Sequence, residues 1–213
     1  MHTVCGLVYK YQNAKTFSYR PVLFETLLLL TCSGASTYTR WGRSDCRSGT
    51  ELVYKGIAAG APFHTNGGGA NLLCLPHNPV YSWYKSGIQN YARLGPVEYH
   101  PSFLHGTYSW DDNAPCAVCR TTRVTTIMIP ATTKCPSGWT REYYGYLMTA
   151  HHNHPRGSFV CVDKFAQPYP GGKGHTSEAH DLFHVEAYCK VIPCPPYNDY
   201  KELTCTVCSK WSC

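Results

Sequence analysis

Charge is scarce in this chain. Asp, Glu, Lys and Arg make only 15% of its 213 residues, while hydrophobic residues, Tyr and Cys included, make 43%. A disordered chain needs the reverse balance, so a packed core is expected. No apolar run approaches the ~18 residues that a transmembrane helix needs; the longest is Leu27 to Leu30. The 19 Lys and Arg form no runs, and the net charge of +6 reads as a mildly basic surface. Such a surface suits a matrix polyanion or glycan at most and is not the clustered footprint of a nucleic-acid binder. No segment sustains a 3.6-residue apolar period between caps, so long helices are not expected. Neither H-E-x-x-H nor G-x-S-x-G occurs. Gly67-Gly-Gly69 and Gly171-Gly172 lack the Gly-Lys-Ser/Thr ending of a phosphate loop and read as turns or close backbone approaches. Asp111 and Asp112 are adjacent; on a strand they would point to opposite faces, which suits a catalytic pair badly. No N-x-S/T sequon is present. Catalysis and a cofactor are therefore not expected.

What the chain has in quantity is cysteine (13), tyrosine (17), glycine (18) and proline (15). Thiols at that density are rare in a reducing cytosol, so disulfides outside the cell or zinc sites inside it are the readings to weigh. Residues 1–36 differ in texture from the rest. Lys10, Lys15 and Arg20 precede the apolar stretch Val22 to Leu30, and Ser33-Gly-Ala-Ser36 follows it. Basic, apolar, then small is the order of a secretory signal, although Glu25 interrupts the apolar part.

After Thr37 short strand candidates alternate with Gly, Pro and Asn. Thr50 to Lys55, Arg123 to Ile129, Thr140 to Met148, Ser158 to Val162, Phe183 to Cys189 and Glu202 to Val207 are rich in β-branched and aromatic residues. An internal repeat orders them. Cys46-Arg-Ser-Gly49 with Tyr54-Lys-Gly56, and Cys135-Pro-Ser-Gly138 with Tyr143-Tyr-Gly145, both fit C-x-x-G-x-x-x-x-Y-x-G at an offset of 89. Cys74 and Cys161 follow at 87, Val97-Glu98 and Val185-Glu186 at 88, and Cys116-Ala-Val-Cys119 and Cys205-Thr-Val-Cys208 at 89. Four landmarks in one order at a near-constant offset imply a tandem duplication. The expected organisation is a signal-like leader (1–36), a first β repeat (37–122), a second (123–210) and a short tail (211–213). The expected fold is mainly β, two cysteine-rich subdomains in a pseudo-twofold relation, stabilised by disulfides.

The shared cysteines are Cys46, Cys74, Cys116 and Cys119 in one copy and Cys135, Cys161, Cys205 and Cys208 in the other. Cys189 and Cys194 are a plausible local extra pair, which makes ten. Cys5 and Cys32 belong to the leader, and Cys213 is the odd thiol. Pairing is not readable from sequence, but equivalent cysteines should pair equivalently, within a copy or by exchange between copies. Two C-x-V-C pairs also invite a zinc site. Zinc ribbons close their second pair within about 15–20 residues, and here it lies in the other repeat, so disulfides are favoured. His151-His152-Asn-His154, with Pro155 and Gly157 behind, reads first as a solvated turn and second, with His175, His180 and His184 downstream, as a set of metal ligands. Trp41, Trp83, Trp110 and Trp139 are either core anchors or an exposed contact face; for Trp139, inside the repeat motif, the core reading is favoured.

Together Thr37-Tyr-Thr-Arg-Trp-Gly-Arg43, Gly56-Ile-Ala-Ala-Gly60, Gly67-Gly-Gly-Ala-Asn71, Cys74-Leu-Pro76, Pro115 to Cys119, Met128-Ile-Pro130, Cys135-Pro-Ser-Gly-Trp139, Gly145 to Met148, Phe183 to Ala187 and Leu203 to Cys208 resemble the C-terminal noncollagenous domain of sponge-type short-chain collagens. The resemblance covers about residues 37–210. A more distant likeness is to the C-terminal domain of type IV collagen, also a cysteine-rich, mostly β duplication. The resemblance implies a secreted extracellular-matrix module that associates with other matrix chains or with itself, as trimers or hexamers. Residues 1–36 lack the Gly at every third position that a triple helix requires. The alternative is an extracellular binding module for carbohydrate, mineral or metal ions.

Overall fold

The computed structural model describes residues 34–100, 106–172 and 174–211. Leader residues 1–33, with Cys5 and Cys32, and Cys213 lie outside the described residues, and β1 begins at Ser36, the last residue assigned to the leader. Ten strands form in chain order: β1 (Ser36–Trp41), β2 (Glu51–Gly60), β3 (Leu73–Pro76), β4 (Gly95–Tyr99), β5 (Pro115–Thr121), β6 (Thr125–Pro130), β7 (Thr140–Thr149), β8 (Val160–Asp163), β9 (His180–His184) and β10 (Thr204–Lys210). The fold is all β, with no helix among the described residues, so none long and apolar enough to cross a membrane. Seven strands close a barrel in the order β7-β8-β1-β5-β2-β4-β9 and back to β7; β3, β10 and β6 extend it from β2, β7 and β10.

The expected strands at 50–55, 123–129, 140–148, 158–162 and 202–207 fall on β2, β6, β7, β8 and β10. The segment expected at 183–189 is shifted: β9 spans His180–His184, because its first three residues pair with β4 across the barrel. The boundary at 122/123 falls in the turn between β5 and β6, but the halves share one sheet.

Each position of the repeated motif has a physical job. Cys46 and Cys135 reach the last cysteine of their own half. Gly49 and Gly138 sit at φ of 84° and 78°, in the left-handed region that glycine tolerates without strain. The hydroxyls of Tyr54 and Tyr143 donate to the carbonyls of Cys74 and Cys161, at 3.2 and 2.9 Å. Gly56 and Gly145 mark the closest approach to the neighbouring strand, where a Cβ would run into the carbonyl of Leu75 or Val162. The registers match as well: Gly56↔Pro76 through Ala59↔Leu73 in one half, Gly145↔Asp163 through Met148↔Val160 in the other.

Side chains alternate faces along a strand, so the two cysteines of each C-x-V-C point to opposite sides. Cys116 joins the core cluster of Val97, Tyr99, Met148 and Leu182, while Cys119 joins that of Tyr38, Tyr143, Leu147 and Val207. The pairs are Cys46–Cys119, Cys74–Cys116, Cys135–Cys208, Cys161–Cys205 and the local Cys189–Cys194. Every one closes within a half. Such a count of disulfides agrees with folding in an oxidising compartment.

Trp139 departs from the expected core position. It is half-buried beside the turn at Gly138, with the Lys210 ammonium 5.8 Å from its ring centroid. Trp41 packs on the core, Trp83 is 85% exposed and Trp110 is 55% exposed.

Chain-entropy arguments rank the disulfides by the loop they close. Cys46→Ala with Cys119→Ala opens a link of sequence separation 73, expected to cost about 4 kcal/mol in urea unfolding. Cys189→Ala with Cys194→Ala opens a separation of 5, expected to cost about 2 kcal/mol. Equal losses would mean that loop length does not govern their contribution.

Candidate metal centre

Five side chains carry buried carboxylates, and the fold treats them in two ways. Glu142 accepts from the hydroxyls of Tyr38 and Ser209 and from Arg123. Asp163 holds the Arg40 guanidinium at 2.7 Å and accepts from the Phe165 amide at 2.8 Å. Asp112 accepts from the Ser109 amide at 2.6 Å. These three are structural acids with partners. Glu98 and Asp181 are different: they are 0% and 3% exposed, yet both oxygens of Glu98 and Oδ1 of Asp181 have no hydrogen-bond partner. Nε2 of His100 and Oδ1 of Asp111 are also buried and unpartnered. An unpaired buried acceptor costs about 1–3 kcal/mol, more when charged, and here four such residues face one point.

Strand geometry brings them together. Glu98 and His100 are two residues apart at the end of β4, hence on one face. Asp111 arrives on a turn whose φ of 61° lies in the left-handed region, and its amide donates to the Tyr99 carbonyl. The loop at 169–175 is tied on through Asn113, which donates to the Gly172 carbonyl at 3.1 Å and accepts from the Tyr169 amide at 2.7 Å, and this delivers His175. Asp181 lies on β9, paired with Glu98. Phe183 stacks on the His100 ring at 5.1 Å, and Trp110 meets it edge-on at 4.9 Å, which fixes the imidazole.

One ligand atom from each of Glu98, His100, Asp111 and His175 lies within 4.8 Å of the others. His100 Nε2 is 3.4 Å from Asp111 Oδ1, and His175 Nδ1 is 3.5 Å from Asp111 Oδ1 and 3.7 Å from Glu98 Oε2. Asp181 Oδ1 is 3.5 Å from His100 Nε2. Ligands about 2.0–2.2 Å from a tetrahedral zinc stand roughly 3.3–3.6 Å apart. Two imidazoles select zinc or a neighbouring transition ion over calcium or magnesium. The donor set therefore fits a divalent transition metal, with Glu98 and His100 buried, Asp111 half-buried and His175, 54% exposed, on the solvent side.

The electrostatics agree. Burial pushes Glu98 up to about 7, against a smaller pull downward from the Thr176 backbone amide, and the Asp181 and Asp111 carboxylates push it further. Burial also raises Asp181, which the surrounding histidines only partly offset. Burial lowers His180, whose Nδ1 lies 2.9 Å from the Ala61 carbonyl. A carbonyl only accepts, so Nδ1 carries the proton. A cleft of about 330 Å³ opens beside the cluster, lined by Phe63, Gly67 to Gly69, Arg156, His180 and Asp181.

The histidines singled out from sequence lie next door. His151 and His154 flank Phe183, at 4.7 and 5.9 Å, and the His154 amide donates to the His151 carbonyl in a turn. The converging ligand atoms are those of Glu98, His100, Asp111 and His175; sequence reasoning named His175 beside the histidine cluster but missed Glu98, His100 and Asp111. Val97-Glu98 was read only as a repeat landmark and Asp111 only as half of an adjacent pair. The available signal was E-x-H at a strand end. In the second half the matching turn places Tyr200 at φ 56°, where Asp111 stands in the first, and Tyr188 follows Glu186 as His100 follows Glu98. No protein-family model matches the chain.

Glu98→Gln separates a metal ligand from a structural acid. Metal-free, the folded Glu98 holds its proton to about pH 7, while the unfolded chain releases it near the ordinary value of about 4.3. Stability of the metal-free fold thus falls as pH rises through that window. Glu98→Gln is expected to gain up to about 3 kcal/mol over the parent at pH 8 without metal, nothing at pH 4, and to lose zinc-induced stabilisation. Denaturation with zinc and with chelator reads both signs; a variant destabilised without metal at pH 8 would contradict this account of Glu98.

Proposed function

We propose that this chain is a secreted, disulfide-locked binding module whose functional centre is a divalent transition-metal site at Glu98, His100, Asp111 and His175, and that it acts by binding rather than by catalysis. The observation that carries this reading is the convergence of unpartnered buried acceptors on one point, in a protein that gives Glu142, Asp163 and Asp112 partners of their own. Metal compensates buried negative charge without a proton, and the ion's binding energy adds to the stability of the fold. The cleft beside Asp181 gives a small ligand or a partner's side chain a path to this region.

A matrix role is the second reading. It is supported by the resemblance to the noncollagenous domain of short-chain collagens and by the loop between β3 and β4. There Val80, Tyr81, Trp83, Tyr84, Ile88 and Tyr91 are each at least 70% exposed. Contiguous apolar surface of this kind marks contact faces. Self-association through this loop, into trimers or hexamers in the extracellular matrix, is the form this role takes. The duplication belongs to the same proposal, supported by the matched disulfides and registers of the two halves.

Titration of the metal-free chain with zinc against a chromophoric chelator is expected to give one ion per chain. His100→Ala and Asp111→Asn should each abolish it, while the triple variant His151→Ala, His152→Ala, His154→Ala should retain it. Loss of binding in the triple variant alone would move the site to the histidine turn. Sedimentation of the same samples tests the second reading: Trp83→Ser with Ile88→Ser should dissociate any oligomer, and a monomer at all concentrations would remove self-association.

A further inference from the structure

The five disulfides tie neither of the two joints between the halves of the barrel. Cys46–Cys119 and Cys74–Cys116 lie in the first half, and Cys135–Cys208, Cys161–Cys205 and Cys189–Cys194 in the second. The halves meet through two parallel pairings. One is β1 with β8 at Trp41↔Val162. The other is β4 with β9 at Val97↔His180, Glu98↔Asp181 and Tyr99↔Leu182, extended by the His100 amide donating to the Leu182 carbonyl at 2.9 Å. Strand pairs this short hold weakly without packing or a cross-link behind them. The β4–β9 pair also places two carboxylates, Glu98 and Asp181, directly opposite each other, with both oxygens of Glu98 and Oδ1 of Asp181 unpartnered, and buried polar groups without partners weaken the elements that carry them.

The metal ligands straddle this joint. Glu98, His100 and Asp111 belong to the first half and His175 to the loop that leads into β9, while Asp181 on β9 backs the site, 3.5 Å from His100 Nε2. We propose that the metal, most suitably zinc, is the cross-link between the two halves: bound, it locks β4 to β9 and closes the barrel, and unbound, it leaves two disulfide-tied halves joined by a seam that opens locally. This rests on the metal reading above. Two of its consequences are specific. The metal compensates the unpartnered carboxylates that face each other across β4–β9. It also converts a non-covalent seam into a coordinated one at one of the two joints that the cysteines do not bridge. Opening would expose the core residues Val97, Tyr99, Met148 and Leu182 that lie behind the seam. Occupancy of the site then governs whether that surface is hidden.

Hydrogen exchange on the whole chain tests this, with zinc alone as the probe and native mass spectrometry on the same samples to count bound ions. In metal-free protein, the amides of residues 97–100 and 180–184 should exchange at least tenfold faster than those of β5 and β10. One bound zinc should abolish that difference. His175→Ala changes an exposed side chain and should fold, yet with zinc present it should exchange as the metal-free parent does. Zinc bound at one per chain with no change confined to β4 and β9 would overturn the seam proposal and leave the site standing. A metal-free seam already as protected as β5 and β10 would overturn it too. No bound zinc would bring down the metal reading, and the seam proposal with it.

Discussion

Two sulfurs three residues apart on a β-strand point to opposite faces, and the architecture depends on that constraint. Cys116 and Cys119 on β5, and Cys205 and Cys208 on β10, cannot reach the same partner. Each strand is pinned on both sides: one sulfur to the cysteine beside the close-approach glycine strand, the other to the cysteine that opens the repeat motif. A unit of under ninety residues buries a limited core, and cross-links of this kind supply what packing cannot. The same geometry confines all four of these bonds to their own halves, so the joint between halves must be held by something else.

At that joint the chain leaves buried carboxylates without partners, whereas it gives its other buried acids partners of their own. Arg40 with Asp163, and Tyr38, Ser209 and Arg123 with Glu142, show that the fold can build partners for buried acids. Around Glu98 it builds ligands instead: a second carboxylate from a turn, one imidazole stacked against Phe183, and another delivered by the loop tied through Asn113. Leaving these groups without an ion would cost stability at several atoms at once. That cost makes binding energy available to hold β4 and β9 together.

Much of the fold was legible because its signals are local. β-rich segments bounded by Gly and Pro mark β2, β6, β7, β8 and β10, and the repeated glycines mark the turns and the close approach that the motif requires. β1, β3, β4 and β5 were missed; β3 and β4 are short and contain Pro, Cys or Gly, and they hold their place through the barrel rather than through propensity. Trp139 misled because membership of a motif was taken for burial; the motif's demand at that turn is for Gly138, and the indole only caps it beside Lys210. The metal ligands were illegible as a set because they are spread from Glu98 to His175. Only tertiary closure brings them together, and the histidine-rich run that drew attention is a neighbouring turn. The asymmetry between copies was readable in principle: Tyr188 and Tyr200 stand where His100 and Asp111 do.

The most direct test of this account is X-ray absorption at the zinc edge of the loaded chain. The account predicts a first shell of four nitrogen and oxygen ligands at about 2.0–2.2 Å, with the outer-shell scattering of two imidazoles and no sulfur. A sulfur shell near about 2.3 Å, or a shell of oxygens without imidazole scattering, would contradict it.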